Sequence, residues 1–322
     1  MRILLIATFI AISLVSGAQP VKVFGKLKVE GTQLKSEGGD SIVLRGMSFG
    51  WHNFWPRFYN AGAVEWLAKD WNCSVVRAAM GIEPDGGYLK DPAGATAKVK
   101  AVVDAAIKQG VYVIIDWHSH NINTAEAKAF FKDMATAYGA YPNVIYEIFN
   151  EPDEESWAEV KKYSEEVIAA IRSVDKDNII LVGSPHWSQD VHLAADDPIK
   201  GVNNIMYTLH FYAATHKAGL RDRATAAMKK GLPIFISESA GMEASGDGLI
   251  NDEEWEEWIS WAEGHGVSWI TWSVSDKDET CSVLQKTAGS SGGWKMEDLK
   301  ASGVKARSLL RSFSAKAASA SN

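Results

Sequence analysis

Two glutamates in this chain stand where a run of strand-forming residues stops. Glu151 follows Val144, Ile145, Tyr146, Ile148 and Phe149, and the next residue, Pro152, has no N–H with which to continue a ladder. Glu238 ends the run P-I-F-I-S-E and is followed by Ser239-Ala240-Gly241, so it too leaves an apolar segment and enters a loop. Taken alone, Glu151 reads equally as a solvated loop carboxylate or as an acid held at the rim of a sheet. Taken with Glu238 it makes a pair suited to acid–base and nucleophilic work, because environment can keep one carboxyl neutral and the other ionised. Hydrolysis of a glycosidic bond with retained stereochemistry needs such a pair about 5–5.5 Å apart, one to protonate the leaving oxygen and one to attack the anomeric carbon.

Elements able to bring both to one face recur along the chain. Strand-like runs appear at Ile42–Ser48, Ser74–Met80, Val111–Trp117, Asn143–Phe149, Asn178–Gly183, Asn204–His210, Pro233–Ser237 and Val267–Trp272, eight in all. Helical spacing of apolar residues fills the intervals over Ala95–Gln109, Ala125–Tyr138, Ser156–Arg172, Gly219–Lys230 and Asp252–Glu263, and Glu297–Arg311 predicts a closing helix. Phe24–Asp40 alternates around Gly31 and Gly38-Gly39, which predicts a hairpin ahead of the main fold. The expectation is an α/β fold: a single-domain (β/α)8 TIM barrel with a short N-terminal β-hairpin. An open doubly wound sheet competes, but no G-x-G-x-x-G loop follows the first strand.

In such a barrel the fourth and seventh strands lie on roughly opposite walls, so Glu151 and Glu238 would face each other across the C-terminal mouth. Other strand ends carry residues of the kinds catalysis uses. Arg77 falls late in the second run, His118 just past the third, Asn150 beside Glu151, His210 and Tyr212 at the sixth, and Trp272 at the eighth. Any one could be a satisfied packing residue, but their repetition at strand ends favours a site.

The first 18 residues read as a secretory signal peptide: Met1-Arg2 is basic, Ile3–Val15 is almost wholly apolar, and Ser16-Gly17-Ala18 suits cleavage after Ala18. The apolar run, about 13 residues, falls short of the roughly 20 that cross a bilayer. A soluble, secreted, extracellular protein with no membrane partner is therefore expected, with residues 19–311 as catalytic domain and the low-complexity residues 312–322 as a disordered tail. No linker interrupts the chain. The formal charge is −7 and the basic residues are scattered, which removes the electrostatic case for a nucleic-acid partner.

Cys73 and Cys281 are the only cysteines, and their predicted positions at opposite ends of a barrel argue against a disulfide even in an oxidising compartment. The Asn72-Cys73-Ser74 sequon is a glycosylation acceptor only if exposed. Tryptophan, with 13 copies against 11 Phe and 9 Tyr, is the compositional oddity. Sugar rings present apolar C–H faces that suit an indole, which accounts for some of the excess. Trp255, Trp258 and Trp261 instead recur at helical spacing, as a helix packed on the barrel would require. Trp66, Trp71 and Trp157 read as core or helix-start residues.

With these residues in view, the sequence resembles the cellulases of glycoside hydrolase family 5. The resemblance runs from Leu44-Arg45-Gly46-Met47-Ser48 to Arg311 and is most specific over Val144–Asp153, where V-I-Y-E-I-F-N-E-P-D carries the family's N-E-P signature. It implies Glu151 as acid/base and Glu238 as nucleophile. Arg77 in V-V-R-A-A-M resembles the arginine that orients the nucleophile and would hold Glu238 ionised. His118 in I-D-W-H resembles a sugar-binding histidine, Asn150 the donor to the 2-hydroxyl, and His210 and Tyr212 in L-H-F-Y the pair flanking the two glutamates. Trp272 resembles the platform beneath the reacting sugar, Lys277 and Glu279 resemble residues binding the neighbouring glucose, and Trp187 an aromatic on the leaving-group side. The loop F-G-W-H-N-F-W aligns ambiguously among Trp51, Phe54 and Trp55, with Trp51 taken as the substrate-binding residue. After Glu238 the chain departs from many relatives, with Ser239-Ala240-Gly241 in place of an aromatic and Gly.

Two motifs point elsewhere and are set aside. Gly46-Met47-Ser48-Phe49-Gly50 fits G-x-S-x-G, but a nucleophile elbow turns into a helix and here W-H-N-F-W-P follows. His118-Ser119-His120 lacks a third ligand at matching spacing, and the chemistry implied by the resemblance needs no metal or other cofactor. The resulting expectation is a monomeric endo-β-1,4-glucanase whose partner is a β-1,4-linked glucan. A mannanase or xyloglucanase of the same family and a non-catalytic carbohydrate-binding protein are the alternatives.

Overall fold

The computed structural model describes residues 19–319. The expected signal peptide at residues 1–18 lies outside the described residues. A short helix, Pro20–Phe24, leads into an antiparallel hairpin of β1 (Lys28–Glu30) and β2 (Gln33–Lys35). Eight parallel strands follow: β3 (Arg45–Phe49), β4 (Val75–Gly81), β5 (Tyr112–His118), β6 (Val144–Glu147), β7 (Ile180–Val182), β8 (Ile205–Tyr212), β9 (Ile234–Ala240) and β10 (Trp269–Val274). They close in the order β10-β3-β4-β5-β6-β7-β8-β9, a (β/α)8 barrel. The expected eight strands are therefore all present, with shifted ends.

Those shifts matter to the site. β6 stops at Glu147 and β7 spans only Ile180–Val182, so the chain leaves the sheet before Asn150 and Glu151. β8 and β9 run past their expected ends because, after a register shift between Thr208 and His210, pairing resumes as His210↔Glu238, Phe211↔Ser239 and Tyr212↔Ala240. Glu238 is consequently a residue of a strand rather than of the loop beyond it.

The helices pack outside the barrel. Ala61–Lys69, not anticipated from sequence, begins where the Asn60 side chain accepts from the Ala63 N–H. Pro92–Gln109, Thr124–Tyr138, Trp157–Arg172, Ala218–Lys229 and Asp252–His265 match the expected intervals. Trp157–Arg172 opens on a capping box between Ser156 and Glu159. Trp255 and Trp258 face the barrel as their spacing predicts, and Trp258 stacks on Phe211 at 4.1 Å between ring centroids. The closing helix starts at Ala301, later than expected, because Leu299 is extended and bridges to Leu284. It runs on to Ser319, into the segment 312–322.

Inside the barrel, apolar residues give way to polar ones along β4, β5, β6 and β9. Val75, Ile114, Ile145 and Phe235 join Leu27, Leu34 and Leu44 in an apolar cluster that the N-terminal hairpin closes from below. Because side chains of a strand alternate between faces, the same face continues two residues later. Those residues are Arg77, Asp116, Glu147 and Ser237, each buried with 0% exposure. Gly46 on β3 permits this close wall, since a Cβ there would sit 1.8 Å from the Val75 carbonyl oxygen.

Candidate active site

Arg77 organises the floor of the mouth. Its Nε and Nη2 donate to the two oxygens of Glu147 at 2.7 and 3.2 Å, and Nη1 donates to Glu238 Oε2 at 2.9 Å. Nη2 also reaches Asn150 Oδ1 at 2.6 Å and lies 3.0 Å from Asp116 Oδ2. Burial disfavours the guanidinium charge, but Asp116, Glu147 and Glu238 outweigh it and keep Arg77 protonated. An arginine can only donate, so Asn150 must turn its oxygen inward. Its Nδ2 is left buried with no hydrogen-bond partner.

The two glutamates flank this floor. Glu238 is held through both oxygens, by Arg77 and by the Tyr212 hydroxyl at 2.7 Å. Burial and then the nearby Glu151 push its pKa upward, while His210, Arg77 and Tyr212 oppose them. The sequence-based expectation that Arg77 holds Glu238 ionised counted one partner, whereas three buried carboxylates share that cation. Glu151 Oε1 is hydrogen-bonded to His210 Nδ1 at 2.9 Å, and its Oε2 faces His120 at 3.8 Å. One oxygen from each glutamate and a His210 nitrogen lie within 4.8 Å of one another. These are the atoms closest to a cation site among the described residues, but both His210 nitrogens are engaged, with Glu151 and with Ser237.

A groove of about 620 Å³ opens above the pair. Trp272 forms one wall and stacks on His118 with ring centroids 5.1 Å apart and planes 2° from parallel. Trp51 meets the His118 edge at 4.4 Å, which singles it out from Phe54 and Trp55, although all three line the groove. His118 donates or accepts through Nδ1 with Asp116 at 2.6 Å, and burial, reinforced by the Arg77 charge, holds its pKa far below the usual range. Lys277 and Glu279 form an ion pair at the groove's edge, where Cys281 also lies. Cys73, two residues before β4, sits at the other end of the barrel, and the two buried thiols are not joined in a disulfide.

Trp187 is not among the groove's lining residues. It is 48% exposed on a left-handed turn in which His186, Trp187 and Ser188 all have φ between 51 and 56°. The turn braces the Asn150–Pro152 segment: the Trp187 N–H donates to the Pro152 carbonyl at 2.9 Å and the Ser188 hydroxyl to the Asn150 carbonyl at 2.7 Å. Ser48 of the G-x-S-x-G motif is buried in β3, bonded to the Phe49 carbonyl and near Arg77. Sequence reasoning overlooked Asp116, Glu147 and Ser237, and weighed His120 only as a metal partner of His118 before setting it aside. For the first two a signal existed, a carboxylate embedded in an apolar strand (I-I-D-W and I-Y-E-I), where only a buried cation could balance it.

The family model for cellulase (glycosyl hydrolase family 5) matches residues 35–278. The chain belongs to glycoside hydrolase family 5. Among relatives of this family 5 chain, endoglucanase Z of Dickeya dadantii is 43% identical over 95% of the chain and 70% of its own length. An endoglucanase of Clostridium saccharobutylicum is 43% identical over 87% of the chain, which spans 64% of that protein. The catalytic domain of a Thermobifida fusca endoglucanase in complex with cellotetraose superposes with a TM-score of 0.87 at 34% identity, covering 91% of this chain and all of that one (100%).

Proposed function

We propose that this family 5 chain is a retaining endo-β-1,4-glucanase cutting internal bonds of cellulose, with Glu151 as acid/base and Glu238 as nucleophile. The observation that carries this reading is the carboxylate spacing, with oxygens of the two glutamates within 4.8 Å. That approach fits the separation of about 5–5.5 Å in retaining enzymes better than the roughly 6.5–9.5 Å at which inverting enzymes place a water between their carboxyls. The named endoglucanase relatives and the cellotetraose held by the Thermobifida fusca domain support a β-1,4-glucan as substrate.

The hydrogen bonds support this division of roles. Glu238, pinned through both oxygens, presents one fixed carboxylate to the anomeric carbon. Glu151, tied through one oxygen, keeps the other free to protonate the departing glycosidic oxygen. Attack forms a bond from Glu238 to the anomeric carbon as the bond to the leaving oxygen breaks. Water then releases the sugar after giving its proton to Glu151. The unpartnered Asn150 Nδ2 supports its reading as the donor to the sugar 2-hydroxyl, a contact that strengthens as charge develops. Trp272 and Trp51 supply apolar faces for the rings, and Lys277 with Glu279 the polar contacts beside them. Trp187 would meet the leaving-group chain only as it emerges from the groove. The basic start and apolar run of residues 1–18 support export, and the enzyme is taken to act as a monomer.

Side-by-side hydrolysis of carboxymethylcellulose, mannan and xyloglucan, with NMR of the newly formed anomer, tests the reading. Preference for the cellulose derivative and release of the β-anomer are expected. Preference for mannan overturns the substrate, and first release of the α-anomer overturns the mechanism.

A further inference from the structure

His210 on β8 is buried between two hydrogen-bond partners. Nδ1 faces Glu151 Oε1 at 2.9 Å and Nε2 faces the Ser237 hydroxyl at 2.9 Å. Ser237 has one proton, and its Oγ lies 2.6 Å from Glu147 Oε1. Glu147 is wholly buried, takes two N–H bonds from Arg77, and so is an ionised acceptor with no proton to offer. Ser237 must therefore donate to Glu147 and accept from His210. The direct separation between His210 Nε2 and Glu147 is 3.7 Å, too long for a hydrogen bond, so the contact runs through the serine.

We propose that Glu147 and Ser237, which do not line the groove, lock His210 with a proton on Nε2, leaving Nδ1 as its one titrating nitrogen, which shares the catalytic proton with Glu151. The proton balance is simple. When it sits on Nδ1, the pair is an imidazolium and a carboxylate. When it crosses to Glu151 Oε1, the N–H bond breaks, an O–H bond forms, and the pair becomes a neutral imidazole and a carboxylic acid, whose carboxyl then turns to bring that proton to the leaving oxygen. Glu147 and Ser237 are positioning residues here, acting through His210.

The surroundings favour keeping that proton on the pair. His210 is faced by Glu147 and Glu151 from β6 and the loop after it and by Glu238 from β9. Arg77 from β4, Asp116 and His118 from β5, and Tyr212 and His216 from its own strand and the following turn complete the charged and titratable set. Burial opposes the charge on His210, but the carboxylates of Glu147 and Glu151 outweigh it and raise its pKa to about 9. Removing the charge of Glu147 should weaken the pair's hold on its proton and move the alkaline limb of kcat/KM to lower pH.

The sharing rests on Glu151 being the acid/base, whereas the lock does not, and the experiment separates them. Long-range ¹H–¹⁵N correlation spectra of the whole enzyme, labelled at histidine nitrogens and free of substrate, should show His210 Nε2 protonated at every pH while Nδ1 titrates. A bare Nε2 at any pH overturns the lock, whatever Glu151 does in turnover. Glu147→Gln and the milder Ser237→Ala should each move the alkaline limb downward by about half a pH unit or more. Unchanged profiles in both variants overturn the sharing. If the lock is seen but Glu151→Gln hydrolyses glucan normally, the acid/base assignment fails while the lock stands.

Discussion

Tyr212→Phe deletes a single oxygen, the one that donates to Glu238 Oε1 at 2.7 Å, and leaves the ring's volume in place. As the proposed nucleophile, Glu238 must be ionised to attack. Burial and Glu151 already push its pKa up, and the tyrosine is among the groups pulling it down, so the substitution raises it further. The sign follows: activity held above that pKa and lost below it should now be lost at higher pH, moving the acid limb of kcat/KM upward. A hydrogen bond to a charged group contributes about 1.5–3 kcal/mol. At a tenfold change per 1.36 kcal/mol, the rate on the acid side of the limb should fall roughly 10- to 150-fold. On the plateau, where Glu238 is ionised in both enzymes, the penalty should be much smaller. Initial rates on carboxymethylcellulose across the pH range, with folding checked by thermal melts, measure both. A penalty uniform in pH, or an acid limb moved downward, would refute the claim that Tyr212 acts by stabilising the ionised nucleophile.

Stability should also depend on pH through the buried network. His210 rises from 6.5 to about 9, so its contribution is complete below about 6.5 and lost as pH climbs through 9. Glu147 falls from 4.5 to about 2, against the cost of burial, through Arg77 and His210, so its contribution is complete above about 4.5 and lost as pH drops through 2. The melting temperature of the wild-type enzyme should decline at both ends, and Glu147→Gln should flatten the acid side. Gly46→Ala should destabilise by about 3 kcal/mol or more, because its Cβ would meet a backbone carbonyl at 1.8 Å that cannot move without opening the β3–β4 pairing. Chemical denaturation measures it, and near-wild-type stability would show that the wall can relax.

Much of the fold was legible because its signals are local. Strand runs such as Y-V-I-I-D-W announce burial on both faces, and their alternation with helical spacing selects a parallel barrel. Strand ends were less legible. The extension of β8 and β9 depends on pairing between them after a register shift, which no single segment encodes. The helix Ala61–Lys69 was missed because, at nine residues, it is too short to repeat the three- and four-residue apolar spacing that marks the longer helices.

The same division runs through the site. By itself the chain determined the barrel, the two glutamates at strand ends and the kinds of residue around them, since residue type and spacing set these. Tertiary structure alone decided that Arg77 would be shared by three carboxylates, two of them overlooked, and that His210 would stand between Ser237 and Glu151. It alone decided that the glutamate oxygens approach within 4.8 Å. These contacts join positions 70, 90 and 161 residues apart in sequence. Their distances are set only when β10 pairs with β3 and the barrel closes, because closure fixes how far each strand end stands from the others.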